Sequence, residues 1–159
     1  MTFQEFLKKL SLFSGLADAE LDQIAPLCRM VEGKDGTIIL KEGNPVRSIY
    51  FLITGEAAVI KGAAGEKRAV IGTISKGGIL GELSLYDNTE ASATIQATQP
   101  FKALAIDSAK FKLLLENNQG LGYKVFKQLA RNTSLRLKMV SGDLAECIAI
   151  PDESSYGKQ

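Results

Sequence analysis

Residues 77–94 read GGILGELSLYDNTEASAT and form the densest cluster of small and polar residues in the chain. The segment predicts a strand that ends at Gly81 and a short helical turn that begins at Glu82. The first N–H groups of such a turn have no acceptor inside it, and together with the helix dipole they favour an anion. We therefore expect an anion site here, with Glu82 able to accept hydrogen bonds from ligand hydroxyl groups.

The residues on both sides of this segment alternate between apolar and polar side chains and are interrupted by glycines. Alternation with a period of two is typical of half-buried strands, and glycine allows the turns between them. Several short strands of this kind indicate an antiparallel barrel or sandwich. The predicted strands are residues 37–41, 49–53, 57–61, 68–74, 91–97 and 101–106, with a hairpin tip at 62–65.

Helices are predicted at both ends of the chain. Residues 3–31 carry apolar side chains at helical spacing in two pieces, which predicts two short helices joined by a turn, with Asp18 capping the second. After the last strand, Asp107 or Ser108 is expected to cap a third helix. A longer helix follows at about 119–148. The predicted order is therefore helices, β-barrel, helices.

The length of 159 residues is enough for one domain with a substantial core and too small for two full-sized ones. We expect this domain to occupy residues 1–150, with the barrel at about 34–106. Pro151 cannot continue the long helix. The polar residues 151–159 are therefore predicted to form a flexible tail.

The long helix carries two apolar stripes. Leu121, Val125 and Leu129 are four residues apart and are expected to lie against the barrel. The second stripe, called the seam below, alternates spacings of three and four residues, as in a coiled coil, so we expect a homodimer through this helix. Alternatively, one globular core covers both stripes. The seam consists of Tyr123, Phe126, Ala130, Thr133, Leu137, Val140, Leu144 and Cys147.

The composition excludes several classes of function. The chain has no histidine, which removes Ser-His-Asp chemistry and histidine metal centres. A net charge of +1 supplies no bulk attraction to nucleic acid or anionic lipid. Cys28 and Cys147 form neither a CxxC motif nor a disulfide framework, so a cytoplasmic location is expected. We expect no membrane partner, because no signal peptide is visible and no apolar run approaches the roughly 18 residues of a membrane helix.

Several segments, in order, resemble the cyclic nucleotide-binding domain family. The phosphate-binding cassette of that family reads Phe-Gly-Glu-x-(Ala/Ser)-Leu and, after a spacer, Pro-Arg-(Ala/Ser/Thr)-Ala-Thr; this chain has LGELSL at 80–85 and EASAT at 90–94. Upstream matches are FSGL at 13–16, GTII at 36–39 with EG at 42–43, and YFLITGEA at 50–57. The resemblance covers roughly residues 3–145. It implies a mostly β fold, a jelly-roll barrel with flanking helices.

The resemblance also implies that a cyclic nucleotide lies in the barrel and that the C-terminal helix moves over it. Glu82 would bind the ribose 2′-hydroxyl group, and Ser92 would add its hydroxyl group to the phosphate. Three further positions would bind the cyclic phosphate through backbone amides: Gly81, Leu83 and Ser84. Two positions, Val70 and Ile71, would border the base together with the long helix.

The cassette departs from the family pattern at two positions. Ala91 stands where the family has arginine, and Glu90 stands where proline is usual. A charge-assisted hydrogen bond contributes about 1.5–3 kcal/mol, so losing a bidentate arginine is expected to weaken a phosphate ligand roughly a hundredfold or more. Weak binding of cyclic AMP or cyclic GMP is therefore expected. The side chains considered as replacements for the missing charge are Lys76, Arg68 and Arg47.

Two functions are compatible with these residues. In the first, the chain is a stand-alone regulatory module that binds a cyclic nucleotide or related small ligand and signals through its C-terminal helix to a partner protein. In the second, the module no longer binds a ligand, Glu82 is only an acid at a helix N-terminus, and the barrel and seam serve assembly alone. The two functions differ in their response to ligand.

A fragment of a transcription regulator is a third, less favoured interpretation. The eleven residues after Ile148 leave no room for a helix-turn-helix, so we expect no nucleic-acid partner for this chain. Catalysis is not expected either, because the sequence shows neither metal ligands nor an activated nucleophile. No cofactor is predicted.

Overall fold

The computed structural model describes residues 2–62, 67–86 and 90–147, with the backbone alone for Val140 and residues 142–147. The helices in these ranges are α1 (Phe3–Leu7), α2 (Asp18–Ile24), α3 (Ser108–Asn117) and α4 (Gln119–Cys147). The strands are β1 (Cys28–Gly33), β2 (Ile38–Leu40), β3 (Ser48–Thr54), β4 (Ala57–Lys61), β5 (Ala69–Ile74), β6 (Ile79–Leu80), β7 (Thr94–Ala97) and β8 (Phe101–Asp107). Short 3₁₀ turns cover Ser11–Phe13, Ala25–Leu27 and Glu82–Leu85.

The strands form two antiparallel sheets of four strands each, in the orders β1-β8-β3-β6 and β2-β7-β4-β5. Strands distant in the sequence are neighbours in each sheet, as in a jelly roll. The predicted mostly β fold with helices at both ends is therefore confirmed. The hydrogen bonds between the described strands divide the jelly roll into two sheets and do not close it into a single barrel.

The main core lies between the β1-β8-β3-β6 sheet and the helices. Three phenylalanines fill its centre: the ring centroid of Phe13 lies 5.5 Å from that of Phe51 and 6.0 Å from that of Phe111. The predicted inner stripe of α4 is buried in this same cluster. It consists of Leu121, Val125 and Leu129. The core therefore fixes the first half of α4.

Polar contacts also hold the start of α4. Lys124 Nζ lies 2.8 Å from Glu20 Oε1 on α2, and this hydrogen bond is the largest cause that holds the pKa of the Glu20 carboxyl below its usual value. The Asn118 side chain accepts a hydrogen bond from the Leu121 amide at 3.2 Å. These contacts direct the second half of α4 past the 3₁₀ turn Glu82–Leu85.

One strand and one helix cap differ from the sequence prediction. The pattern missed β1, which pairs along its length with β8, from Cys28 opposite Ile106 to Gly33 opposite Phe101. The predicted strand that ends at Gly81 is present as the two-residue strand β6. Asp18 does not cap α2, because the N-cap residue is Ala17. Pairing between strands distant in the sequence explains the first difference, since apolar residues near position 28 also fit a helical period.

The prediction for the third helix is confirmed, since Asp107 caps α3 by accepting a hydrogen bond from the Lys110 amide at 2.9 Å. Other predictions lie partly or wholly outside the described residues: the hairpin tip at 62–65, the tail at 151–159 and the end of the seam. The extent of the domain, residues 1–150, stays a prediction. None of the helices in the described part of the chain is both long and apolar enough to cross a membrane.

Candidate ligand-binding site

The cassette begins with a sharp turn at Gly81. Its φ of 76° and ψ of 14° lie in the left-handed region, which favours glycine. A Cβ atom built on Gly81 would lie 2.8 Å from Val46 Cγ1 and 3.0 Å from the Ser48 carbonyl oxygen. Both the backbone conformation and the lack of space therefore require glycine where β6 passes into the 3₁₀ turn Glu82–Leu85.

A buried pair of hydroxyl groups holds this turn. Ser84 Oγ donates to the Gly81 carbonyl oxygen at 2.7 Å and lies 2.6 Å from Ser108 Oγ. Ser84 has one hydroxyl proton and donates it to the Gly81 carbonyl oxygen. Ser108 is therefore the donor in the hydrogen bond between the two hydroxyl groups. The Ser84 amide also donates to Gly81, at 3.2 Å, whereas the amides of Glu82 and Leu83 have no acceptor among the described residues. Two of the cassette amides thus remain available to a ligand.

We predict that Ser84→Ala destabilises the protein by about 1–3 kcal/mol, since it leaves the buried Ser108 hydroxyl without its acceptor. Ser108→Ala is the matched control, because Ser84 keeps its bond to Gly81; its expected cost is about 0.5–1.5 kcal/mol. Urea unfolding measures both. A loss in Ser108→Ala as large as that in Ser84→Ala would contradict this direction of donation.

A cavity of about 340 Å³ opens beside the cassette and is called the cassette cavity below. Its wall combines both halves of the cassette, apolar side chains of the strands, and Thr133 and Arg136 of α4. Six of the eight predicted site residues line it: Gly81, Glu82, Leu83, Ser84, Ala91 and Ser92. Val70 and Ile71 do not; they lie on β5 with 67% and 62% of their surface exposed. The ligand-binding roles of all eight stay predictions.

Two carboxylates, Glu82 and Glu90, line this cavity, and its positive charge comes from Arg136, which was not among the predicted replacements for the missing arginine. Arg136 Nη1 lies 2.7 Å from Glu82 Oε1, and only 15% of the Glu82 side chain is exposed. None of the three predicted replacements lines the cavity: Lys76, Arg68 and Arg47. Arg136 is far from the cassette in sequence and is one of several cations in the middle of α4, so only the path of α4 shows which of them reaches the cassette.

The cassette lies within the part of the chain that a known family matches. The family model for the cyclic nucleotide-binding domain matches residues 30–118, which is more than half of the chain. The chain belongs to the cyclic nucleotide-binding domain family. It is 31% identical over 117 residues to the cAMP-dependent protein kinase regulatory subunit of Schizosaccharomyces pombe, and 31% identical over 119 residues to that of Colletotrichum orbiculare. These matches cover 74% and 75% of this chain, but 27% and 30% of the two regulatory subunits.

Solved structures show the same fold. A putative cyclic nucleotide-binding protein from Geobacter metallireducens is 25% identical, with a TM-score of 0.76, and the match covers 86% of this chain and 99% of that one. A cyclic nucleotide-binding domain from Methylobacillus flagellatus is 23% identical, with a TM-score of 0.77, and covers 94% and 84%. The cyclic nucleotide-binding domain described here thus spans nearly the full length of the first structure, but less than a third of the two regulatory subunits.

Backbone hydrogen bonds hold the second half of the cassette in place. The Ala91 amide donates to the Asn44 carbonyl oxygen at 2.8 Å, and the Gly43 amide donates to that of Ala91 at 2.9 Å. Lys61 Nζ donates to the Ser92 carbonyl oxygen and lies 2.6 Å from Glu42 Oε1. The hydrogen bond between Lys61 and Glu42 is the largest cause that lowers the pKa of the Glu42 carboxyl. Lys61 is therefore close to the cassette, but its charge is already paired.

The described residues of this cyclic nucleotide-binding domain contain no cluster of three or more His, Cys, Asp or Glu that could hold a metal ion. Burial raises the pKa of the Cys28 thiol to about 12, so at neutral pH it is protonated and a poor nucleophile. The chemistry that the cassette cavity offers is hydrogen bonding and charge.

Proposed function

We propose that this cyclic nucleotide-binding domain is a regulatory module that senses a cyclic nucleotide, or a related small ligand, in the cassette cavity. The observation that carries the proposal is that the cassette and α4 form one wall and are joined there by the Glu82–Arg136 ion pair. A ligand in the cavity would touch both elements. Binding would therefore act directly on the position of α4.

In the proposed complex, the free amides of Glu82 and Leu83 bind the cyclic phosphate, and Ser92 lies in the opposite half of the cassette. Arg136 supplies the positive charge that Ala91 lacks. An arginine with five donors serves both Glu82 and a phosphate oxygen, since its guanidinium group is planar and forked. Because half of the Arg136 side chain is exposed to water, this charge contributes less than a buried bidentate arginine would.

The same ion pair provides the proposed link to signalling. Without ligand, Arg136 holds α4 on the cassette through Glu82. A ribose hydroxyl group that bonds to Glu82 competes for its oxygen atoms and changes the balance between two positions of α4. The ligand shifts this balance only to the extent that it binds one position better than the other.

Isothermal titration with cyclic AMP and cyclic GMP tests the proposal. We expect weak saturable binding to the parent protein, and a loss of about tenfold or more in Arg136→Gln, because a charge-assisted hydrogen bond is removed. Lys138→Gln is the matched control, since it removes an exposed charge from the same helix outside the cavity wall. The absence of saturable heat with both nucleotides would favour the assembly function instead.

A second function, assembly through α4, is favoured by exposed apolar residues of the seam. Tyr123 and Leu137 expose 68% and 67% of their surface, which one globular core would have covered. Two other seam residues already contact their own chain: Thr133 lines the cassette cavity, and the Phe126 ring lies 5.5 Å from that of Tyr86. The proposed homodimer therefore uses Tyr123, Leu137 and the later seam positions Val140 and Leu144.

We predict that Leu137→Glu converts a dimer into a monomer, because a carboxylate at a packed seam position is costly to bury. Sedimentation velocity measures the mass. Lys138→Gln serves as the control, since it makes the same one-unit change of net charge beside the seam. A parent protein that sediments as a monomer, or a Leu137→Glu variant of unchanged mass, would contradict the proposed dimer.

The remaining parts of the proposal concern the cellular setting. We propose that the module acts in the cytoplasm, because Cys28 is a free thiol, as is typical of a reducing compartment. The proposed role is regulation of a partner protein and not catalysis. The similarity to protein kinase regulatory subunits supports a role in signal transduction.

A further inference from the structure

A second cleft, with a volume of about 410 Å³, lies beside β2 and is called the β2 cleft below. It is formed by β2, the loop of residues 41–47 and Tyr50 of β3. We propose that the β2 cleft binds a small amphipathic anion: an aromatic or branched aliphatic body that carries one carboxylate, sulfonate or phosphate group. This site goes beyond the proposed function, because most of its lining residues do not line the cassette cavity.

Apolar side chains that line the cleft would contact the apolar part of the proposed ligand. Ile38, Leu40, Pro45 and Tyr50 provide aliphatic and aromatic surface. Ile38 is exposed although it belongs to a strand, so its side chain gains from being covered by a ligand. The Tyr50 hydroxyl group makes no hydrogen bond to the described residues and is free to bond to a ligand.

The charge of the cleft selects an anion. Lys41 and Arg47 are exposed, both line the cleft, and neither forms an ion pair within the described part of the chain. Glu42, the carboxylate next to Lys41, is held by Lys61 at 2.6 Å and does not neutralise this pair of cations. Two cations without an ion pair, in a cleft that apolar side chains also line, favour a ligand with a negative end and an apolar body.

The loop that carries these cations is already fixed without ligand. The Asn44 amide donates to the Lys41 carbonyl oxygen at 3.0 Å, and Asn44 accepts from the Ala91 amide at 2.8 Å. Pro45 forms a β-bridge with Glu90. A preformed loop avoids part of the ordering cost of binding. The loop that lines the cleft is therefore already ordered in the absence of a ligand.

Among the residues that the structure describes, two line both cavities: Leu40 and Ala91. Glu82 and Arg136, which define the cassette cavity, do not line the β2 cleft. A ligand in the β2 cleft thus contacts Ala91, which is also a predicted site residue, without contacting Glu82 or Arg136.

Nuclear magnetic resonance with ¹⁵N-labelled protein tests this site, with naphthalene-2-sulfonate as the probe. We expect saturable shifts of the amides in residues 38–50. Arg47→Glu is expected to weaken binding about tenfold or more, since it replaces attraction by repulsion. Arg68→Glu is the matched control, because Arg68 is exposed and lines neither cavity. The uncharged analogue naphthalene-2-methanol is expected to bind more weakly than the sulfonate.

Shifts confined to residues 81–84 and α4 would place the probe in the cassette cavity and overturn the proposal. An absence of saturable shifts, or equal affinities of Arg47→Glu and Arg68→Glu, would overturn it as well. If Arg47→Glu does not give a folded spectrum, Lys41→Glu replaces it with the same expected loss. None of these outcomes depends on whether a cyclic nucleotide binds, so the test is independent of the proposed function.

Discussion

Replacing Ala91 with arginine is expected to raise the affinity for cyclic AMP roughly a hundredfold, because two charge-assisted hydrogen bonds to the phosphate are gained. Hydrogen bonds with Gly43 and Asn44 hold the backbone of Ala91 in place. The Cα atom that would carry the longer side chain therefore has a fixed position. Ala91 also lines the cassette cavity, which offers about 340 Å³ for the guanidinium group and the ligand together. Isothermal titration of both proteins with cyclic AMP measures the gain.

Ala91→Gln is the control for this gain, since it adds a polar side chain of similar length without the charge. A larger gain is expected when Ala91→Arg is made in the Arg136→Gln background, because Arg136 then no longer supplies part of the same charge. An Ala91→Arg protein that is folded but binds no better than Ala91→Gln would show that the cavity does not hold a phosphate at this position.

Gly81→Ala is expected to destabilise the protein by about 2–4 kcal/mol. About 1–2 kcal/mol comes from placing a Cβ atom in the left-handed region, and the rest from overpacking against Val46 and the Ser48 carbonyl oxygen. Gly77→Ala is the matched control: its φ of 86° is also left-handed, but a Cβ atom there has nothing within 4 Å. Its expected cost is therefore only about 1–2 kcal/mol.

Urea unfolding of both glycine variants measures the difference, which isolates the close approach of Val46 and Ser48 to the turn. The same variants, titrated with cyclic AMP, report on the cassette: we expect Gly81→Ala to lose binding and Gly77→Ala to keep it. Equal losses of stability in the two variants would show that Val46 moves aside without cost and that the turn is less constrained than the structure indicates.

Much of the fold could be predicted because its signals are local. Alternating apolar residues predict strands wherever they occur, and Asp107 caps α3 through an amide only three residues away. The turn at Gly81 belongs to the same class, because only glycine enters the left-handed region at little cost. β1 was not predicted, because its apolar residues fit both a helical period and a strand period. Only its pairing with β8 shows that the segment is a strand.

In the candidate site, too, some residues could be predicted from local sequence and one could not. The amino-acid order alone placed Gly81, Glu82, Leu83 and Ser84 on one turn, because neighbours in a turn stay together in any fold that contains it. Whether a cation reaches Glu82 depends instead on where α4 leaves the core, and its inner stripe with the Lys124–Glu20 pair directs Arg136 there. Contacts between residues so far apart in the chain arise from the packing of whole elements, so no local pattern records them.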